Sequence, residues 1–194
     1  MLPASLHKIL ESKSQEFFHK HKDILIDIIL FGSTMRGKKN PQDIDIIMIF
    51  HGKKDLQLSY ELRKLLEKSM GVVVDVQAKT YAELFDGKFA PREALLSEGY
   101  SLINKTLLSE GLGYTTMGMF TYKLQGKTKS ERMRFYHSLY GRNTKGMLHK
   151  LNAIKYTDTV LLCPLQFREE MRVYLESWKI EFTEVPVLMP GRVL

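Results

Sequence analysis

Cysteine is almost absent from this chain, which has one, Cys163, among its 194 residues. A single cysteine excludes an internal disulfide and any zinc site built mainly from cysteine ligands. Cys163 follows Leu161-Leu162 and precedes Pro164. We therefore expect it to be a buried packing residue rather than a nucleophile.

Long apolar segments are absent too. No apolar run approaches the roughly eighteen residues of a membrane span, and Met1-Leu2-Pro3 does not open a secretory signal. These absences predict a cytoplasmic protein with no membrane partner. A length of 194 residues allows one large domain or two small ones, each with an adequate core.

Acidic residues are scarce in the second half of the chain. Up to Glu110 there are 16 Lys and Arg against 15 acids, whereas from Gly111 onward there are 13 against 7. Aromatic residues alternate with the cations of this half, as phosphate-backbone binding and base stacking require. The alternative is an ordinary solvated basic face with its aromatics, Tyr122, Phe135, Tyr136 and Tyr140, turned inward. The candidate nucleic-acid-binding residues are Lys123, Lys127, Lys129, Arg132, Arg134 and Arg142.

Two aspartates one residue apart, Asp43 and Asp45, follow the glycine turn Gly32-Ser33. Apolar residues 24–31 precede the turn and 44–50 follow the first aspartate, a pattern typical of strand, turn and strand. Alternate residues of a strand share a face, so the two carboxylates point the same way. Like charges beside an apolar sheet need a cation, and an oxygen-seeking ion such as Mg²⁺ is the natural one.

This segment resembles the signature of the DNA polymerase beta-like nucleotidyltransferase superfamily over about residues 24–50. The five-residue spacing between Gly37 and Asp43 favours the polymerase beta branch over the minimal nucleotidyltransferases. The resemblance implies that Asp43 and Asp45 bridge two Mg²⁺ ions (or Mn²⁺). It also implies that Gly32 and Ser33 contact the phosphates of a nucleoside triphosphate. Arg36 is placed to meet a phosphate oxygen with its planar donor fork.

A third carboxylate is expected on a neighbouring strand. Asp75 lies in the β-branched run 72–76, and Asp27 interrupts the apolar run before Gly32. Asp27 is five residues before Gly32, roughly 16 Å along an extended strand, whereas the site gathers where that strand ends. Asp75 is therefore the predicted third metal ligand and catalytic residue.

The periodicity of apolar residues predicts a small mixed-sheet α/β core over residues 1–105. The resemblance implies that this core is the nucleotidyltransferase catalytic domain. Glu110 to Gly113 is interpreted as a linker. A second small basic α/β domain, the acceptor-binding unit, is predicted over residues 113–194. Capping boxes at Thr80 and Thr128 predict the starts of two helices.

Three functions remain open at this stage. The first is Mg²⁺-dependent transfer of a nucleoside monophosphate from a nucleoside triphosphate to a nucleic-acid 3′ end, with RNA preferred slightly over DNA. The second is nucleotidylation of a protein or a small molecule. The third is a catalytically silent nucleic-acid-binding adaptor, against which the complete set of three aspartates argues.

Overall fold

The chain divides into two compact units in a computed structural model that describes residues 3–35 and 43–193. The first unit is Met1–Tyr114 and the second is Thr115–Leu194. Each is an α/β unit with its own sheet and its own apolar core. The α/β fold with a mixed sheet in the first unit confirms the predicted class. The predicted domain limits, 1–105 and 113–194, differ from this division by nine residues at the end of the first unit and by two at the start of the second.

The first unit alternates strands and helices. Its strands are β1 (Leu25–Phe31), β2 (Asp43–Phe50), β3 (Val73–Thr80), β4 (Tyr100–Ser101) and β5 (Thr106–Leu107). Its helices are α1 (Ala4–Lys20), α2 (Leu56–Met70), α3 (Tyr81–Leu84), α4 (Arg92–Glu98) and α5 (Leu108–Gly111), with a 3₁₀ turn over Gly32–Thr34.

The sheet of the first unit has the order β3-β2-β1-β4-β5 and mixes two kinds of pairing. Strand β1 runs antiparallel to β2, with Phe31 opposite Asp45. Strand β2 runs parallel to β3, with Asp45 level with Asp75. The end of β1 and the starts of β2 and β3 therefore lie at one end of the sheet.

Both faces of this sheet are covered by apolar side chains. On one face, residues such as Ile28 and Met48 pack with Leu10 of α1 and Leu62 of α2. On the other face, Ile29, Phe31, Ile47 and Ile49 pack with Phe89 and Leu95. The near-continuous apolar character of β1 and β2 follows from burial on both sides.

The predicted linker is partly helical. Glu110 and Gly111 belong to α5 instead of an open connection. The Glu110 carboxylate accepts hydrogen bonds from Thr106 Oγ1 at 2.7 Å and from Leu107 N at 3.4 Å. These hydrogen bonds satisfy polar groups at the start of α5. The helix is too short to show a periodic apolar pattern, so in the sequence the two glycines of the segment predict a linker.

The long strand β6 (Tyr114–Lys123) starts at the last residue of the first unit, and its other residues belong to the second unit. The second unit continues through α6 (Lys129–Tyr140), α7 (Met147–Lys150), β7 (Ile154–Lys155), β8 (Val160–Pro164), α8 (Arg168–Ser177) and β9 (Glu181–Pro190). Its sheet has the order β7-β8-β6-β9. The predicted capping box at Thr128 is present: Thr128 N donates to Glu131 Oε2 at 2.7 Å, and Glu131 N donates back to Thr128 Oγ1.

The core of the second unit contains Phe120, Tyr122, Phe135 and Leu175. Cys163 lies in this core and is fully buried. Burial raises the pKa of its thiol to about 12, so Cys163 is a packing residue, as predicted, and not a thiolate nucleophile.

A partly buried ion network joins α8 to β9. Arg168 Nε donates to Glu184 Oε1 at 2.5 Å, and Arg172 Nη2 donates to Glu184 Oε2 at 2.6 Å. The stem of Arg168 lies over Gly118, where an added Cβ would come within 2.8 Å of Arg168 Cγ. Because Gly118 has no side chain, the stem of Arg168 can lie over it while the guanidinium group binds Glu184. Within residues 3–35 and 43–193, no helix is long and apolar enough to span a membrane.

Asp27 is a structural residue that ties β1 to the turn after β4. Its side chain is buried, and its Oδ1 accepts hydrogen bonds from Ile28 N at 2.7 Å and Ser101 Oγ at 2.9 Å. Asn104 Nδ2 lies 3.5 Å from the other carboxylate oxygen. Burial raises the pKa of Asp27 in spite of these hydrogen bonds, because desolvation disfavours the charged form.

We expect Asp27→Asn to stabilise the first unit at neutral pH. A carboxyl whose pKa is raised on folding binds its proton more tightly in the folded state, so its favourable contribution is lost as pH rises through that raised pKa. Asparagine keeps an acceptor for Ile28 N and Ser101 without the charge. The urea midpoint, followed by far-UV circular dichroism, should exceed the parent's by more at pH 7 than at pH 4.

Asp23→Asn is the control, because Asp23 is an exposed aspartate in the turn before β1. An equal gain at the two pH values for Asp27→Asn would contradict the assignment of a raised pKa to Asp27.

Candidate active site

The three predicted aspartates lie on one face and at one end of the first sheet. Asp43 is the first residue of β2, Asp45 follows two residues later, and Asp75 is level with Asp45 on the parallel strand β3. Register partners on neighbouring strands point to the same side, as do alternate residues of one strand. The spacing in the sequence groups the first two, and the parallel register is what brings Asp75 beside them.

The burial of the three carboxylates differs. Asp43 and Asp75 are exposed, whereas Asp45 is half-buried. Gln77, two residues beyond Asp75, donates from Nε2 to Asp75 Oδ2 at 3.3 Å. Exposure of the outer pair lets water moderate the repulsion that three like charges would otherwise create.

The glycine turn is in direct contact with the central aspartate. Gly32 has φ +80°, and an ideal Cβ built on it would lie 2.9 Å from Asp45 Cγ and 3.2 Å from Asp45 Cβ. Any side chain at Gly32 would therefore displace the Asp45 carboxylate. Glycine is required here both for its positive φ and for this close approach.

Ser33 lies half-buried in the same 3₁₀ turn. Its neighbour Thr34, which the sequence analysis did not single out, is buried to 2% exposure. Among residues 3–35 and 43–193, Thr34 Oγ1 has no hydrogen-bond partner. The signal that could have found Thr34 is its place beside Gly32-Ser33 in a turn that follows a buried strand.

Arg36 lies in the segment 36–42, outside the described residues, so its predicted contact with a phosphate remains a prediction. The rival third ligand, Asp27, lies elsewhere. It is level with Ile49, four residues along β2 from Asp45, or roughly 13 Å at the rise of a strand.

The donor chemistry of the site fits a hard divalent cation. Carboxylate oxygens on one face, with a glycine that lets one of them approach a backbone turn, are ligands that Mg²⁺ accepts. The described part of the chain, however, contains no group of three His, Cys, Asp or Glu side chains already close enough to hold a metal ion. The three aspartates thus have the right ligand atoms for the ion and lie at one end of the sheet, but their carboxylates are not close enough together to coordinate it.

The cations of the second unit are mostly solvent-exposed. Lys123, Lys129, Arg132, Arg134 and Arg142 are exposed, and Lys127 is half-buried. No salt bridge joins any of these six to a carboxylate of the described residues. Arg132 Nε donates to the carbonyl oxygen of Lys127 at 3.0 Å, which ties the helix to the preceding loop.

The aromatics among these cations do not form the expected stacking surface. Tyr122 and Phe135 are 1% and 2% exposed and belong to the core. Tyr136 is half-buried, and Tyr140 stacks on it and lies under Lys155 Nζ, 5.5 Å from the ring centroid. For Tyr122 and Phe135 the alternative interpretation, aromatics turned inward, is therefore correct.

Residues 10–97 match the family model of the nucleotidyltransferase domain. This match confirms, for this part of the chain, the resemblance found in the sequence. A search of curated proteins finds no match.

Several solved structures are similar to about half of the chain. One is a toxin–antitoxin crystal structure with AMP-PNP, at 24% identity, covering 47% of this chain and 71% of that one, with a TM-score of 0.38. Another is a tri-AMPylated HEPN toxin of Shewanella oneidensis in complex with an MNT antitoxin, at 22% identity, covering 50% and 71%, with a TM-score of 0.36. A third is a candidate minimal nucleotidyltransferase at 22% identity, covering 48% and 92%, with a TM-score of 0.37. TM-scores this low support no argument about branch or acceptor.

The contact between Gly32 and Asp45 gives a prediction about stability. Gly32→Ala should destabilise the first unit by about 1 kcal/mol for its positive φ, and by roughly 1–3 kcal/mol more for the clash with Asp45. Urea unfolding followed by far-UV circular dichroism measures the sum of these two losses in the free energy of unfolding. Fluorescence would not serve, because the only tryptophan, Trp178, lies in the second unit.

Gly71→Ala is the matched control. Gly71 has φ +69°, and an added Cβ there has nothing within 4 Å, so this change carries the strain without the clash. In the background of Asp45→Ala, which removes the nearest atoms, Gly32→Ala should cost less. Equal destabilisation by Gly32→Ala and Gly71→Ala would show that the Asp45 carboxylate does not contact the turn.

Proposed function

We propose that the chain transfers a nucleoside monophosphate from a nucleoside triphosphate to a hydroxyl of an acceptor, releasing pyrophosphate. The observation that carries this proposal is the level pair Asp45 and Asp75, with Asp43 two residues away and the Gly32 turn against Asp45. Cations held by carboxylates, beside a turn whose N–H groups contact phosphate, assist in-line displacement at a phosphorus atom, and we assign these tasks to the three aspartates and the Gly32 turn.

Each residue has a distinct role in this proposal. Asp43 and Asp45 would hold both divalent cations, and Asp75 the cation on the side of the acceptor. When bound, these ions supply neutralisation of the triphosphate and activation of the attacking hydroxyl. The Gly32 and Ser33 turn would contact the terminal phosphates through backbone N–H groups and the serine hydroxyl.

The acceptor proposed is a nucleic-acid 3′ end, with RNA preferred. Support comes from the six cations Lys123, Lys127, Lys129, Arg132, Arg134 and Arg142, which we call the basic surface. Hydrogen bonds from Thr128 lower the pKa of Glu131, and Lys127 and Arg134 lower it further by charge attraction, but none of the six cations is in a salt bridge within the described residues. Such cations can bind phosphates, which give affinity without sequence preference. Tyr122 and Phe135 are buried, so these two rings do not stack on bases, and the proposal for this surface rests on contacts with phosphates.

The carboxylate assignment is tested by isosteric replacement. Asp45→Asn and Asp75→Asn should each lower transfer by more than about a thousandfold, roughly 4 kcal/mol of transition-state stabilisation. Asparagine keeps the shape but removes the charge that binds the cation. The measurement is transfer from each labelled nucleoside triphosphate to a mixed RNA and DNA pool, with pyrophosphate release followed in parallel.

Asp27→Asn is the matched control, because it removes the rival carboxylate of the same sheet. It should keep transfer within about tenfold of the parent. If Asp75→Asn were active and Asp27→Asn inactive, the third ligand would be Asp27. Activity of Asp45→Asn within about tenfold of the parent would remove the two-cation assignment altogether.

The acceptor class is tested through the basic surface. Replacing Lys127, Lys129, Arg132 and Arg134 together by Gln should raise the Michaelis constant for an RNA acceptor and leave that for the nucleoside triphosphate nearly unchanged. The slope of log affinity against log salt should become shallower by about 0.7 for each phosphate of a single strand that the variant no longer neutralises. Binding to a tRNA, a single-stranded RNA and a gapped DNA at two salt concentrations gives these slopes.

The control replaces four exposed lysines of the first unit, Lys8, Lys22, Lys53 and Lys68, by Gln. It removes the same charge from elsewhere in the chain and should alter RNA binding far less. If the parent binds none of the three nucleic acids even at low salt, the acceptor is instead a protein or a small molecule.

A further inference from the structure

A pocket in the second unit shares Lys127 and Arg134 with the basic surface and adds an aromatic side that the proposed function does not use. It lies between the loop before α6, helix α6 itself and the end of α8, and its volume is about 160 Å³. The lining residues that matter here are Lys127, Glu131, Arg134, Phe135, Trp178 and Lys179. All of them belong to one compact unit.

The polar side of the pocket has surplus positive charge. Lys127, Arg134 and Lys179 line it, and within the described residues none of the three is in a salt bridge. The lining carboxylate, Glu131, is already engaged, because its Oε2 accepts hydrogen bonds from Thr128 N and Thr128 Oγ1, both at 2.7 Å. Three cations facing one committed carboxylate favour an anionic ligand, and phosphate oxygens suit both ammonium and guanidinium donors.

The apolar side of the pocket is aromatic. Phe135 is buried and meets Trp178 edge to face, with ring centroids 5.8 Å apart and an interplanar angle of 70°. Trp178 itself is only half-buried, so part of its ring remains accessible. A flat ring can pack on this part, and stacking of a base on an aromatic side chain strengthens binding of a nucleotide.

The size of the pocket limits what enters it. An apolar cavity of about 150 Å³ holds one benzene ring, so 160 Å³ admits a single six-membered ring but not a whole nucleotide. A ligand with one ring inside and a phosphate at the rim matches both sides of the pocket.

We propose that this pocket binds one nucleotide unit, with a pyrimidine ring against Trp178 and its phosphate held by Lys127, Arg134 and Lys179. The same chemistry is offered by a free mononucleotide and by one nucleotide of a strand. Only the strand source rests on the acceptor class proposed above.

Trp178 provides a reporter within the site, because it is the only tryptophan of the chain. The full-length protein is titrated with UMP, with inorganic phosphate and with the trinucleotide UUU while the tryptophan emission is recorded. UMP should quench the emission and bind at least about tenfold more tightly than inorganic phosphate, which lacks the ring. Tighter binding of UUU than of UMP identifies a strand as the source, and the reverse order identifies the free nucleotide.

Arg134→Gln should weaken UMP binding at least about tenfold, and Lys127→Gln provides an independent second variant. Arg192→Gln is the matched control, since Arg192 is an exposed arginine of the same unit that does not line the pocket. Asp45→Asn should bind UMP as the parent does, so failure of the catalytic assignment and failure of the pocket are distinguishable. The proposal is overturned by no change in emission with UMP at millimolar concentration, by equal affinity for UMP and phosphate, or by equal affinity of Arg134→Gln and the parent.

Discussion

The candidate site of the first unit depends on the register of three strands. Antiparallel pairing puts Phe31, the last residue of β1, opposite Asp45, and parallel pairing puts Asp75 level with Asp45. A shift of either pairing by one residue would turn a carboxylate to the opposite face, because the side-chain period of a strand is two. The buried apolar residues on both faces fix this register, so the core that stabilises the sheet also positions the charged groups.

Two aspartates in similarly apolar strands have opposite environments. Asp27 is buried and occupied by hydrogen bonds from Ser101 and the backbone of Ile28. Asp45 lies at the open end of the sheet against Gly32, which has no side chain to obstruct the approach. The buried carboxylate of Asp27 stabilises a turn through its hydrogen bonds, and cation binding is proposed for Asp45, which is half-buried at the end of the sheet that also has Asp43 and Asp75. Position along the strand, not composition of the strand, separates the two roles.

The sequence predicted those features that depend on local pattern. The apolar runs of β1 and β2, the glycine turn and the capping boxes at Thr80 and Thr128 are each readable within a few residues. Features that depend on tertiary packing were not readable. Phe135 alternates with cations along the chain, yet it packs into the core against Tyr122, and Thr34 becomes notable only once its hydroxyl is known to be buried.

The distribution of charge between the units matches the needs of the two proposed ligands. The first unit has nearly equal numbers of cations and acids, and its site has carboxylates, so a triphosphate can approach that site only together with divalent cations. The second unit has 13 Lys and Arg against 7 acids from Thr115 onward. It needs no divalent cation to attract the phosphodiester backbone of a nucleic acid. Salt screens the attraction of the second unit for phosphates, whereas the proposed coordination of a cation by Asp43, Asp45 and Asp75 would act at contact distance. Salt concentration and divalent-ion concentration are therefore expected to act on different steps of the reaction.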